Sequence, residues 1–238
     1  MINLIKFGLS LFDYFTEKKI LIQLKKIFWE KEPILVIDIG AHKGEFISFI
    51  NKNFKIKKAY CFEPNPKVFK ILKEKYNLNN KIELFNSGAS NDSGNIFFNE
   101  NIESSSSSIN ELNKNSNYYK KKFFLLNFLN SNEVTKKIQI QVVTLSEFII
   151  ENKINTIDLL KIDTEGYEFQ VLQGLKDKIN NIHLLHFEHH FDDMIIKDYK
   201  LTHIHNLLTK NGFEKKFKIK MKFRKSFEYL YENKKFIC

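Results

Sequence analysis

After Pro33 the chain enters Ile34-Leu35-Val36-Ile37, a run with no polar side. A strand that is apolar on both faces has to be covered on both, and a parallel sheet held between two layers of helices provides that cover. The following residues keep to this regime. Gly44 to Asn53 places Phe46, Phe49 and Ile50 at helical spacing, and Lys57 to Phe62 reads as a second strand. Asn65 can cap a helix that Pro66 opens, with Phe69, Leu72 and Tyr76 facing inward. Ile82 to Phe85 is a third strand and Asn95 to Asn99 a short edge strand. Ile138 to Val143 precedes a capping box, Thr144 with Glu147, for a helix to about Glu151. Strands at Thr156 to Ile162 and Ile182 to Glu188 flank a helix from about Tyr167 to Leu175. A helix from Leu201 to Lys210 then leads into an antiparallel pair, Gly212 to Lys220 and Ser226 to Tyr231. The expected fold class is α/β: a Rossmann-like, doubly wound, mostly parallel sheet with an antiparallel C-terminal edge.

With 238 residues the chain is long enough to bury a core without disulfides. Its two cysteines, Cys61 and Cys238, form no disulfide framework, which makes a reducing, cytoplasmic setting the expectation. The net charge of +10 invites a polyanionic partner, yet Arg224 is the sole arginine among 38 basic residues. Arginine is what bidentate phosphate and guanine recognition favours, so the charge argues against nucleic acid as the partner. The uncharged stretch Phe123 to Asn132 falls well short of the roughly 20 apolar residues of a membrane span. Met1 to Glu30 has acids and lysines inside it and no small-residue cleavage site. Ile5, Leu9, Phe12, Ile20, Leu24 and Phe28 suit a helical arm instead. The expected organisation is an arm over 1–30, open to a homodimer contact or a peripheral membrane contact, and one domain over 31–238. A polar insertion at about 100–137 interrupts that domain.

Open parallel sheets bind ligands beyond the carboxyl ends of their strands. Asp38, Glu63, Ser87 and Asp163 stand at such ends, and Gly88 follows Ser87. Asp38-Ile39-Gly40-Ala41-His42-Lys43-Gly44 is a glycine turn opening a helix, where unpaired N–H groups face a ligand. Glu63, before Pro64, is the acid expected to accept both ribose hydroxyls of an adenosine. The turn lacks the third glycine that seats a pyrophosphate, and an anionic Asp38 would repel one. A cationic ligand suits it, and S-adenosylmethionine (SAM) meets both demands.

VIDIGAHKGEF (Val36 to Phe46), CFEPNP (Cys61 to Pro66), VVTLSEF (Val142 to Phe148) and LLKIDTEGYEFQVLQG (Leu159 to Gly174) together resemble the successive motifs of FkbM-type methyltransferases. The resemblance spans residues 34 to about 190. It implies the class I methyltransferase fold and SAM-dependent O-methylation, commonly of sugar or natural-product hydroxyls. His42 stands where many members have asparagine.

For such a transfer Asp163 is the expected base, at the end of a strand whose alternation puts Lys161 on the same side. Glu165 in the next turn can face either the acceptor or Lys161, and Glu168 suits the first turn of a helix whatever the function. In His183-Leu184-Leu185-His186-Phe187-Glu188-His189-His190, Glu188 and His189 are expected to bind acceptor hydroxyls or assist proton removal. His186, Glu188 and His190 would share a face if extended and could ligate a metal, but satisfied histidines of a buried strand are commoner, and no metal is expected. Within Ser104 to Ser108, Ser107 and Ser108 are candidates for contacting a hydroxyl-bearing small molecule or glycan. Nucleic-acid methylation is the competing enzyme reading, against which stands the absence of an Asn/Asp-Pro-Pro-Tyr/Phe motif and of a Pro-Cys nucleophile. A non-catalytic module of the same fold is the other alternative.

Overall fold

The computed structural model describes residues 2–28, 33–101, 107–121, 136–222 and 225–237, with the side chains of the first helix described from residue 15. Its main sheet has seven strands: β1 (Ile34–Ile39), β2 (Ile56–Phe62), β3 (Ile82–Phe85), β7 (Ile157–Ile162), β8 (Ile182–His190), β9 (Phe213–Lys220) and β10 (Ser226–Asn233). They lie in the order β3-β2-β1-β7-β8-β10-β9. The first five are parallel, and β10 pairs antiparallel with both β8 and β9. The α/β, mostly parallel sheet with an antiparallel edge is thus as expected. The direction of winding reverses at β1, which opens a crevice between β1 and β7.

Three further strands form a separate sheet. β4 (Gly88–Ala89), β5 (Gly94–Glu100) and β6 (Lys136–Val143) are ordered β4-β6-β5, so the edge strand expected near Asn95 belongs to this second sheet. Phe98, Ile140 and Val142 form its small core.

Helices cover both faces of the main sheet. On one side α1 (Ile2–Phe28), α2 (Glu45–Asn53) and α3 (Pro66–Tyr76) pack Leu24, Phe28, Ile47, Ile50 and Leu72 against Val36, Leu159, Leu184 and Leu230. On the other, α4 (Leu145–Glu151), α5 (Glu168–Gln173) and α6 (Leu201–Lys210) meet Ile37, Leu160, Leu185, Phe187 and Tyr231. Strand alternation sends successive residues to opposite layers, so the central strands β1 and β7, covered on both faces, are mostly apolar along their length. No described helix is long and apolar enough to cross a membrane.

Local signals are realised with some differences. Asn65 caps α3 by accepting from the backbone N–H groups of Lys67 and Val68. Phe69, Leu72 and Tyr76 face the core as expected, Phe69 only partly buried, and Val68 is buried as well. The capping box at α4 is only half made. Thr144 accepts from the Glu147 N–H at 3.3 Å, but Glu147 reaches Ser93, whose hydroxyl accepts from the Thr144 N–H at 2.9 Å. A serine from the turn between β4 and β5 thus bridges the two ends of the box. Phe123 to Asn132, Ser104 to Ser106, Arg224 and Cys238 lie outside the described residues.

Candidate active site

Where β1 ends, Gly40 adopts φ 81 and its backbone passes against β7. A Cβ there would stand 1.9 Å from the Asp163 carbonyl oxygen, so only glycine fits. The N–H groups of Gly40 and Ala41 both donate to the Phe62 carbonyl, at 3.0 and 2.9 Å, which turns the chain toward β2. His42 follows at φ 49, a left-handed conformation that asparagine and histidine tolerate better than most residues. That shared tolerance accounts for histidine at this turn position.

The turn delivers the His42 N–H to Glu63 Oε2 at 2.8 Å, while Glu63 Oε1 accepts the Asn65 N–H at 2.8 Å. A carboxylate offers about four acceptor sites, so two remain after these bonds. Burial pushes the Glu63 pKa up to about 7, against the lowering effect of the two backbone donors. Asp38 is also buried, and among the described residues its Oδ2 has no hydrogen-bond partner. Burial raises its pKa to about 7 despite the attraction of Lys161. An unsatisfied buried carboxylate oxygen is costly, which makes Asp38 a candidate for contact with a ligand.

The layer beyond Asp38 is a row of charged side chains on the α1–α2 face of the sheet. Asp38, Lys161 and His186 are register neighbours across β1, β7 and β8, and Glu188 pairs with Glu228 across β8 and β10. Lys161 Nζ lies 3.3 Å from Asp163 Oδ2 and 3.4 Å from Glu228 Oε2, with the Phe46 ring beside it. Burial works against the lysine's charge, but Asp163, Glu228, Glu188 and Asp38 outweigh it and hold the pKa above the usual lysine value. Burial likewise opposes the charge of Glu228, yet Lys161 and His186, the latter 2.8 Å away, keep it ionised well below the ordinary range. Glu188 differs. Burial first, then the nearby Asp163, Glu228 and Glu165 carboxylates, push its pKa up to about 8. His190 stands between Glu165 at 3.0 Å and Glu188 at 3.6 Å. Burial opposes its protonation, but Asp192, Glu165 and Glu188 raise its pKa to about 11 and make it a cation at neutral pH.

Glu168 holds the loop after β7 in place from the opposite side. Its Oε1 accepts the Gly166 N–H at 2.7 Å and the Thr164 hydroxyl at 3.2 Å, and its Oε2 accepts from Tyr199. The polar insertion docks on the same loop: Ser108 Oγ donates to the Glu165 carbonyl at 2.8 Å and Asn110 Nδ2 to that of Gly166.

Most of the residues singled out from the sequence meet in one cavity of about 390 Å³. Asp38, Gly40, Ala41, His42, Glu63, Pro64 and Gly88 line it on the β1–β2 side. Lys161, Asp163, Glu165, Glu188 and Ser107 line it toward β7 and β8. Four others do not. Gly44, at φ 78, packs against Tyr76 and Leu72 at the start of α2, and Ser87 is buried in the turn between β3 and β4. Ser108 spends its hydroxyl on the Glu165 carbonyl. His189 is on the other face of the sheet from Glu188 and His190, beside Tyr199 and 3.8 Å from Glu168, because successive strand residues alternate in direction. The expectation that His189 assists at the reacting end is therefore corrected.

Sequence reasoning missed Thr16, Glu17 and Ile20 of α1, and Met221 and Glu228 of the C-terminal hairpin, all of which line the cavity. No motif flagged them, since they arrive from the two ends of the chain. Among the described residues no three His, Cys, Asp or Glu side chains converge as a metal site.

Comparison with known proteins agrees with this fold. The model of the methyltransferase FkbM domain matches residues 38–215. A methyltransferase FkbM from Methylobacillus flagellatus KT superposes with a TM-score of 0.53 at 16% identity, over 83% of this chain and 43% of that one. The present chain thus spans less than half the length of that protein. Magnesium protoporphyrin IX methyltransferase from Synechocystis PCC 6803, solved with bound SAM, gives a TM-score of 0.51 at 10% identity, covering 94% of this chain and 80% of that one. At these identities the likeness is one of fold. No functionally curated protein matches the chain. The glycine turn, Glu63 and the Lys161-to-Glu168 segment all fall within the matched 38–215 span, and the chain belongs to the FkbM methyltransferase family.

Proposed function

We propose that this chain transfers a methyl group from S-adenosylmethionine to a hydroxyl of a glycan or a glycosylated small metabolite. The observation that carries the cofactor is the pairing of Glu63, whose two oxygens are fixed by the His42 and Asn65 N–H groups, with a buried Asp38 whose Oδ2 has no hydrogen-bond partner among the described residues. Glu63 would hold the ribose hydroxyls and the Gly40–His42 turn the amino-acid end, while Asp38 supplies the negative charge that a cationic ligand needs. When bound, the cofactor supplies a methyl group on a positively charged sulfur that an oxygen can attack.

An alcohol must surrender its proton as it reacts, and a well-placed base contributes roughly 10²- to 10⁴-fold. Glu188 suits this task, since it lines the cavity and its pKa of about 8 lies near neutral pH. The His190 cation beside it attracts the carboxylate form and holds Glu165 as well. Asp163, held by Lys161 at 3.3 Å, and Ser107 offer acceptors and a donor to the hydroxyls of the methyl acceptor.

The test is incubation of the protein with isotopically methyl-labelled cofactor and an extract of glycans and small metabolites, read by mass spectrometry. Label on an oxygen of a hydroxyl-bearing acceptor is the expected result. Label confined to RNA or DNA would overturn the proposal.

A further inference from the structure

Beyond its inward contacts, α1 carries a second pattern on its outer side. Ile20, Leu24 and Phe28 are buried against the sheet. Phe15, Lys18, Lys19, Ile22, Lys25 and Lys26 are all exposed, Phe15 by 51% and Ile22 by 53%. At about 100° per residue these six fall within an arc of roughly 120°, centred on Ile22. Over residues 15–28 the arc holds four lysines, two large apolar side chains and no acid. Glu17, the acid of this segment, lies outside the arc and lines the cavity with Thr16 and Ile20.

Exposed apolar side chains set among lysines are what an interfacial helix offers. The apolar groups enter the headgroup boundary, the lysine stems extend along it, and the ammonium groups meet anionic headgroups. We propose that this face of α1 docks the protein on an anionic lipid surface. Charge complementarity selects the surface, since a lysine-rich face favours anionic over zwitterionic lipid. The two apolar groups separate a bilayer from a soluble polyanion, which has no apolar layer to receive them. The same helix walls the cavity from its inner side, so docking brings the site within about one helix diameter, roughly 10 Å, of the headgroups.

Sedimentation of the full chain with vesicles of phosphatidylcholine alone, and with an equimolar mixture of phosphatidylcholine and phosphatidylglycerol, tests this without reference to methyl transfer. The expected result is binding to the mixed vesicles only, weakening as salt rises. The double variant K19Q/K26Q should partition about 30-fold more weakly, from roughly fivefold for each lysine near an anionic surface. Ile22→Ser should weaken vesicle binding while leaving the charge intact. All these side chains are exposed, and unchanged melting temperatures would show that the variants fold. Equal binding to both vesicles, or variants that bind like the parent chain, would overturn the proposal. So would binding that homopolymeric RNA competes away and Ile22→Ser does not affect, or a dimer in light scattering that K19Q/K26Q dissociates.

Discussion

Gly40 and Asp163 cross so closely that a single methyl group on Gly40 would stand 1.9 Å from the Asp163 carbonyl oxygen. This crossing is where the winding of the sheet reverses. It fixes the end of β1, with Asp38, against the end of β7, with Lys161, so the charged row depends on it. Gly40→Ala meets two penalties. Overpacking costs about 1 to 3 kcal/mol, and a Cβ in the left-handed region about 1 to 2 kcal/mol more. The expected outcome is a melting temperature lowered by several degrees together with loss of measurable cofactor binding in titration calorimetry. A variant that melts lower but binds normally would show the turn to be structural alone.

Glu63→Gln keeps the size of the side chain but turns an NH₂ group toward either the His42 or the Asn65 N–H, each of which now donates to a carboxylate oxygen at 2.8 Å. One charge-assisted hydrogen bond to a ligand is worth about 1.5 to 3 kcal/mol, so cofactor dissociation should rise roughly 10- to 150-fold. Titration calorimetry measures it directly, and an unchanged constant removes Glu63 from the ribose.

The raised pKa values of Asp38 and Glu63, both about 7, have a definite sign. A carboxyl group whose pKa is higher in the folded state stabilises the fold fully below its unfolded value of about 4. That contribution is lost as pH rises through about 7. The unliganded protein should therefore melt lower at about pH 8 than its other groups alone would dictate, and Asp38→Asn should flatten that slope. A cationic ligand prefers the ionised acids, so cofactor affinity should rise with pH through about 7 with release of protons. Calorimetry in buffers of different ionisation enthalpy counts them.

Much of this arrangement is legible in the sequence because it depends on local chemistry and on period two. An apolar strand ending in an acid and a glycine turn places Asp38, Gly40 and Glu63 without any long-range information. The same period puts His186, Glu188 and His190 on one face, and it also excludes His189 once the face is known. What could not be read locally came from distant segments. Glu228 meets Lys161 across 67 residues, and Thr16 and Glu17 reach the cavity from the opposite end of the chain. The second sheet was hidden likewise, since pairing of β4 with β6 bridges the long polar insertion.

His189 and His190 give the sharpest separation of structural from chemical roles. His189 faces Glu168 and Tyr199, so His189→Phe should cost about 1 to 3 kcal/mol of stability through its lost polar partner and leave kcat nearly unchanged. His190→Phe removes the cation that attracts the ionised forms of Glu165 and Glu188. The base must be deprotonated to act, so with Glu188 at about 8 the rate should fall as pH drops below that value, approaching tenfold per unit. Without His190 the Glu188 pKa climbs further, and the rising limb of the kcat profile should move to higher pH while its plateau remains. Glu188→Gln should abolish the limb and lower the plateau by roughly 10²- to 10⁴-fold. A limb that persists in Glu188→Gln but disappears in Asp163→Asn would assign the proton to Asp163 instead.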